Sequence, residues 1–121
     1  MEIKENMYFD NVTIECYEYT EKDGEYDEDG EPEYEYVKIY VIPADMQPAT
    51  NNEVVGENGE MLTDTYKIYI KNYYSITPSM KIKVKGENDT YSIVGTPLKY
   101  NHGIAEHIKI IVQKDRTPMS I

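Results

Sequence analysis

The sequence predicts an all-β protein, a small antiparallel β-barrel of about six strands with long loops and little helix. Short runs of alternating apolar and polar residues recur along the chain, and glycine, proline and asparagine separate them. Closure removes the exposed edges of so small a sheet, which favours a barrel over the alternative, an open sandwich. A length of 121 residues predicts one domain, residues 1–121.

Two strands begin the predicted sheet. The string "NVTIECYEYT" at residues 11–20 alternates, and one face of it carries Val12, Ile14 and Cys16. The string "EYVKIYVIP" resumes the alternation and predicts a second strand. One face of this strand carries three aliphatic side chains, namely Val37, Ile39 and Val41. We expect Pro43 to end this strand because proline has no amide hydrogen to donate.

An acidic hairpin loop, residues 21–36, is predicted between these strands. It contains nine carboxylates and one lysine, and like charges at this density resist packing. The candidate interface or lumen residues of this loop are Glu25, Asp27, Glu28, Asp29 and Glu31. A calcium loop would need glutamate at the twelfth position from Glu25, where Tyr36 stands, and a helix on each side. We therefore predict no metal site here, with a calcium-binding domain as an alternative.

A long loop is predicted over residues 43–65, where the alternation is lost. Loops of about twenty residues are unusual in small domains and are commonly functional or disordered. The scattered apolar residues indicate that part of this loop docks against another surface. The candidate channel or gating residues are Met46, Asn51, Asn52, Glu53, Val54, Val55 and Met61.

Four further strands are predicted in the second half of the chain. The strings "TYKIYIKNYY" and "MKIKVKG" both alternate apolar residues with lysine. A turn at "ENDT" leads into "YSIVG", and "IAEHIKIIVQK" supplies the last strand. Residues 113–121 form a predicted C-terminal arm that reaches a neighbouring subunit.

Lysines mark the outward face of two of these strands, which we expect to be neighbours. This candidate basic stripe between subunits consists of Lys67, Lys71, Lys81, Lys83 and Lys85. On a monomer, such lysines would serve only to keep the strand surface soluble. In an assembly they would complement the acidic loop, because residues 1–64 carry a net charge of −16 and residues 65–121 a net charge of +5. The pattern favours head-to-tail contacts that close into a ring.

Composition excludes several classes of function. A net charge of −11 opposes general binding to nucleic acid. Cys16 is the single cysteine and falls on an apolar face, where a buried, inert thiol is the common outcome. His102 and His107 lack a third metal ligand. We therefore expect no catalytic residues, no metal and no cofactor, and no stretch is apolar enough for a membrane span.

Residues 69–114 carry a recognisable series of features. The string "ITPSMK" begins a basic strand, "YSIVG" follows the next turn, and "IKIIV" lies in the final apolar strand. In this order the features resemble the head-tail joining proteins of long-tailed bacteriophages, also called head-closure or stopper proteins. The matching residues are Ile76, Pro78, Met80, Lys81, Tyr91, Ile93, Gly95 and residues 108–112.

The resemblance implies a virion structural protein, made in the bacterial host cytoplasm, that forms a homo-oligomeric ring at the neck between the portal complex and the tail. The implied partners are further copies of the chain, portal or adaptor proteins, tail-completion proteins and double-stranded DNA that passes without sequence-specific binding. In this family the loop between the second and third strands can close the DNA channel, and residues 43–65 correspond to it. An adaptor, a tail terminator, or a cytoplasmic nucleic-acid- or ligand-binding barrel remain alternatives.

Overall fold

Six strands make up the protein in its computed structural model, which describes residues 10–49, 64–72, 74–100 and 106–119. The strands are β1 (Val12–Tyr26), β2 (Pro32–Pro48), β3 (Thr65–Lys71), β4 (Lys81–Val84), β5 (Thr90–Tyr100) and β6 (His107–Lys114). The described ranges contain no helix. The prediction of an all-β fold with six strands is confirmed.

The strands form one antiparallel sheet that closes on itself in the order β1-β2-β3-β6-β5-β4. Closure depends on β4, which pairs with β5 on one side and with residues 14–17 of β1 on the other. In this order β6 lies opposite β1, β5 opposite β2, and β3 opposite β4. The barrel therefore has one side made by the β1–β2 hairpin and another made by β3, β6 and β5.

The core fills the barrel with β-branched side chains, as a pleated, two-faced sheet favours. Its buried members are Ile14, Cys16, Ile42, Ala44, Ile68, Ile70, Ile82, Val84, Tyr91, Ile108, Ile110 and Val112. Most of them alternate with exposed or half-buried residues, as period two requires, and the buried exceptions are Tyr17, Asp45 and Thr90. Burial of each isoleucine stabilises the fold by about 1.5–3 kcal/mol relative to leaving it exposed.

The aliphatic face of β2 is not its inward face. Ile42 and Ala44 are buried, whereas Val37, Ile39 and Val41 are 40%, 37% and 53% exposed. The register shifts within this strand: Cys16 pairs with Tyr40, but Tyr17 pairs with Lys38, which leaves Ile39 as a bulge. The bulge ends the barrel section of β2, and Val37 lies beyond it.

Pro43 does not end β2, which continues to Pro48. The carbonyl oxygen of Thr13, which lies opposite Pro43, accepts a hydrogen bond from the Lys85 amide, so the backbone groups of Thr13 point toward β4. Thr13 and Pro43 are therefore a non-hydrogen-bonded pair, and the nitrogen of Pro43 points away from β1. On that side β2 pairs with β3 only over residues 45–48. Proline is tolerated because no described strand there needs its missing amide hydrogen.

Truncation of neighbouring residues on β2 tests which face lies inside. Ile42→Ala removes a side chain that is 1% exposed, and we expect it to lower the free energy of unfolding by about 2–5 kcal/mol. Val41→Ala is the control on the same strand, with an expected loss below about 0.5 kcal/mol. Urea unfolding followed by circular dichroism measures both values. A larger loss for Val41→Ala would show that the opposite face of β2 lies in the core.

Candidate functional site

The β1–β2 hairpin extends far beyond the barrel. Strand β1 pairs with β4 only over residues 14–17, while its pairing with β2 continues to Tyr26 and Pro32. Residues 18–37 therefore form a two-stranded projection, the acidic ribbon, about 30 Å long at about 3.3 Å per residue. Most of the acidic loop predicted at residues 21–36 is thus strand, with an irregular register between Glu21 and Tyr26, and only residues 27–31 separate β1 from β2.

The turn at the tip of the acidic ribbon is built by one carboxylate. Asp27 Oδ1 accepts hydrogen bonds from the amides of Asp29, at 2.9 Å, and Glu31, at 3.0 Å. Gly30 has a φ of +81°, a left-handed conformation that glycine adopts without strain. The carboxylate of Asp27 therefore orders the tip of the hairpin. Within the described ranges, no three His, Cys, Asp or Glu side chains are placed to hold a metal ion.

The acidic ribbon combines negative charge with exposed aromatic rings. It carries ten carboxylates and one lysine, a net charge of −9. Tyr19 stacks on Tyr34 with ring centroids 5.2 Å apart, and Tyr36 lies 4.8 Å from Tyr19. These three rings and Glu21 share one face, because Tyr19 pairs with Tyr36 and Glu21 with Tyr34. Of the five candidate acidic residues, Glu25 lies at the end of β1, and Asp27, Glu28, Asp29 and Glu31 lie between the strands.

A polar cluster marks the point where the acidic ribbon leaves the barrel. Glu15 accepts hydrogen bonds from Lys38 Nζ, at 3.2 Å, and from the hydroxyl of Tyr17, at 3.1 Å. Burial alone would raise the pKa of Glu15, but these hydrogen bonds and the charge of Lys38 lower it below its ordinary value. Burial and the hydrogen bond to Glu15 raise the pKa of Tyr17. Glu15 is therefore a carboxylate paired with a lysine beside the bulge.

The predicted basic stripe does not form one surface. Strands β3 and β4 lie on opposite sides of the closed sheet, so the expectation that they are neighbours was wrong. Lys81 forms an ion pair with Asp115, at 2.8 Å, and Lys83 lies opposite Glu15 in the β1–β4 register. Lys85 follows the end of β4 and is exposed. The lysines within β4 therefore face carboxylates of the same chain.

Lys67 and Lys71 belong to a different surface, the basic wall, which is the outward side of β3, β6 and β5. Register places outward residues in three rows: Lys71, His107 and Tyr100; Tyr69, Lys109 and Leu98; and Lys67, Ile111 and Val94. The His107 ring stacks on that of Tyr100 at 4.7 Å. Lys99 is exposed at the end of β5 but pairs with the buried Ile108, so it does not belong to these outward rows. The sequence analysis missed Lys109. The alternation of Lys109 with Ile108 and Ile110 was the available signal.

Only one predicted gating residue lies within the described part of the chain. Met46 lies in β2, opposite Ile68, and packs against the core, so it does not belong to a loop. The side chain of Asn11 fixes its backbone with two hydrogen bonds of 2.9 Å. The other candidates, Asn51, Asn52, Glu53, Val54, Val55 and Met61, lie outside the described residues, and their role stays a prediction.

The end of the chain folds back onto its own barrel. Residues 113 and 114 belong to β6. The carboxylate of Asp115 then accepts hydrogen bonds from Lys81, from Ser92 and, at 2.6 Å, from Thr90. The amide of Met119 donates to the hydroxyl of Thr90 at 3.0 Å. Residues 115–119 of the predicted arm are therefore anchored on β4 and β5 of the same chain.

Cys16 is not placed for chemistry. Its side chain is fully buried in the core, and burial raises the pKa of the thiol to about 12. The thiol is therefore neutral and out of contact with solvent at physiological pH. In the part of the chain that the structure describes, there is no helix long and apolar enough to span a membrane.

Comparison with known proteins adds evidence that the geometry alone does not supply. The sequence profile of the family described as "Phage head completion protein" matches residues 11–115. This chain belongs to that family. The match covers all six strands, the acidic ribbon and Asp115, so this head completion protein is a phage head-tail structural protein of the virion.

A solved structure supports the fold. The solution structure of protein SF1141 from Shigella flexneri 2a is similar to this head completion protein with a TM-score of 0.69 and 17% sequence identity. The similarity covers 88% of this chain and 93% of that chain. At this identity the comparison shows a shared fold. No curated protein matches the sequence.

Replacement of Asp115 tests the anchor at the end of the chain. Burial alone would raise the pKa of Asp115, but hydrogen bonds from Lys81, Ser92 and Thr90 hold it below its ordinary value. A carboxyl group whose pKa is lowered by folding stabilises the fold above its unfolded pKa, and this stabilisation is lost as the pH falls through the folded value. We expect Asp115→Asn to lower the free energy of unfolding by about 1–3 kcal/mol at pH 7.

The pH dependence of unfolding shows whether the lost stability comes from the charge of the Asp115 carboxylate. The difference between wild type and Asp115→Asn should stay constant from about pH 7 to pH 5 and shrink below about pH 4. Asp89→Asn is the control, because Asp89 forms a more exposed pair with Lys114, at 3.6 Å. Urea unfolding at several pH values gives the comparison. Equal losses for the two variants would contradict the anchoring role of Asp115.

Proposed function

We propose that the protein is a non-catalytic ring component of the phage neck, a stopper that joins the portal complex to the tail. Several copies form a homo-oligomeric ring, with the portal or adaptor on one side and tail-completion proteins on the other. The observation that carries the proposal is the family match over residues 11–115. It is combined with a closed barrel from which an acidic hairpin projects. The ring assembles after synthesis in the host cytoplasm.

The charge of the chain supports passage of DNA through such a ring. A net charge of −11, with −9 in the acidic ribbon, repels the phosphate backbone. A channel component with this charge lets double-stranded DNA pass without sequence-specific binding. Gating of the channel by residues 51–61 is part of the proposal, and those residues lie outside the described ranges.

The alternative of a nucleic-acid-binding barrel has lost its main support. It required Lys67, Lys71, Lys81 and Lys83 to form one stripe, and the closed sheet places β3 and β4 on opposite sides. Lys81 is also paired with Asp115. We therefore favour the neck ring.

A phage that lacks this chain tests the proposal. We expect separate heads and tails, and no infectious particles, because the connection between portal and tail is missing. Expression of the wild-type chain from a plasmid should restore tailed particles, as counted by plaque assay and negative-stain microscopy. Normal tailed particles without the chain would contradict the proposal.

The position and copy number in the particle test the specific role. Mass spectrometry of purified wild-type particles should find several copies for each portal. Class averages of the neck should show the chain as a ring below the portal complex. A ring bound directly to the portal would indicate an adaptor, and one at the end of the tail tube a terminator. The absence of the chain from the particle would rule out all three.

A further inference from the structure

We propose that the acidic ribbon of one copy docks on the basic wall of the next copy, in a repeated head-to-tail contact. The acidic ribbon is residues 18–37, and the basic wall is the outward side of β3, β6 and β5. This inference deepens the proposed function and rests on it, because it names the surfaces through which the copies of a neck ring would meet.

Topology separates the two surfaces within one chain. The acidic ribbon continues β1 and β2, and these strands lie opposite β6 and β5 in the closed sheet. The β6 and β5 part of the basic wall thus lies across the barrel from the acidic ribbon, and only its β3 edge is next to β2. A contact between them is therefore favoured between copies, and each copy uses one surface on each side.

Charge makes the two surfaces complementary. The acidic ribbon carries a net charge of −9, whereas the basic wall presents lysines along β3 and β6. Lys71, at the end of β3, is exposed, and Lys67 and Lys109 are half-buried in the other two rows. Opposite fields of this kind attract two copies in one orientation and oppose the contact of two acidic ribbons.

Both surfaces also expose apolar area that could be buried in the contact. Tyr19 and Tyr34 are 52% and 49% exposed on the aromatic face of the acidic ribbon. Leu98 and Tyr100 are 51% and 41% exposed on the basic wall. Tyrosine contributes strongly at interfaces, since its ring supplies contact area and its hydroxyl a hydrogen bond. The contact would thus combine charge with burial of aromatic rings.

The acidic ribbon gains from a partner because it has few contacts of its own. Beyond residue 17, β1 pairs only with β2 in the described structure, and a two-stranded hairpin is marginally stable in water. Its length of about 30 Å is close to that of β6, whose eight residues span about 26 Å. The acidic ribbon is therefore long enough to lie along the basic wall of a neighbour.

Such a contact joins two different surfaces, so a row of copies has one unused acidic ribbon at one end and one unused basic wall at the other. A heterologous contact of this type continues until the row closes into a ring. If one variant lacks a working acidic ribbon and the other lacks a working basic wall, their mixture forms only a pair of copies. The strength of a single contact can then be measured.

Two charge-reversal variants isolate the contact. The ribbon variant, Glu21→Lys with Glu35→Lys, keeps an intact basic wall, and the wall variant, Lys71→Glu with Lys109→Glu, keeps an intact acidic ribbon. Glu21, Glu35 and Lys71 are exposed, and Lys109 is half-buried on the outward side of β6. The control, Asp10→Lys with Glu87→Lys, makes the same change in net charge as the ribbon variant at exposed positions away from both surfaces. Circular dichroism confirms that each variant is folded.

Binding is followed by NMR at low salt, with the ribbon variant labelled with ¹⁵N and the wall variant unlabelled. We expect a complex of one copy of each, with chemical shift changes on β3, β6 and β5 of the labelled chain. The dissociation constant should rise at least tenfold when the unlabelled chain also carries the ribbon changes, and it should rise with salt. The control changes, added to the unlabelled wall variant, should leave binding intact.

Three results would overturn the inference. The first is the absence of chemical shift changes at about 1 mM of each variant, a concentration at which a contact with a dissociation constant of about 1 mM would be detected. The second is binding that maps to other surfaces. The third is a shift on the basic wall with a short DNA duplex but none with the wall variant, which would assign this surface to DNA.

The experiment also separates this inference from the proposed function. If the chain is present in wild-type particles but the two variants show no contact, only the docking surfaces are wrong. If the chain is absent from particles, the neck function is wrong, and the solution measurement still decides whether copies dock in this way.

Discussion

Closure of the barrel through β4 is the constraint on which the rest of the structure depends. β4 has four residues, and its pairing with residues 14–17 of β1 makes the final seam between the two edges of the sheet. Because the seam is short, closure uses only a small part of the hairpin formed by β1, with 15 residues, and β2, with 17. The surplus length pairs with itself and becomes the acidic ribbon. A short β4 and a long hairpin are thus two aspects of one arrangement.

Closure also determines how charge is distributed. Near the seam, Lys81 pairs with Asp115 and Lys38 pairs with Glu15, so the cations close to the short strand are held by carboxylates of the same chain. Lys109 of β6 lies on the strand opposite β1, and the lysines of β3 lie on the strand next to β2. The molecule therefore carries its negative charge mainly on the acidic ribbon and carries positive charge on the outward side of β3 and β6. A protein with this polarity favours oriented contacts between copies.

The sequence predicted the local features of this fold and missed those that depend on distant pairing. Alternation identified six strands, because period two reflects the inside and outside of a sheet at each position. The same alternation cannot show which strands are neighbours, so Lys67 and Lys81 were placed on one surface although β3 and β4 lie opposite each other. Alternation also cannot show which face of β2 is inward, since its exposed side carries Val37, Ile39 and Val41 and no local signal marks the bulge at Ile39. The prediction that Pro43 ends β2 was wrong for a related reason, since proline ends a strand only where the neighbouring strand needs an amide hydrogen at that position.

The acidic ribbon shows what a charged strand gains over a charged loop. Pairing satisfies backbone hydrogen bonds over residues 18–21 and 34–37 and again at Tyr26 and Pro32, and it leaves the side chains of both faces available. Repulsion among ten carboxylates opposes this order, and the contacts of the Tyr19 ring with Tyr34 and Tyr36 oppose the repulsion. A partner surface that carries lysines would reduce the repulsion and cover the rings in one step. The charge that makes the acidic ribbon costly in an isolated chain is therefore the property that makes it suited to assembly.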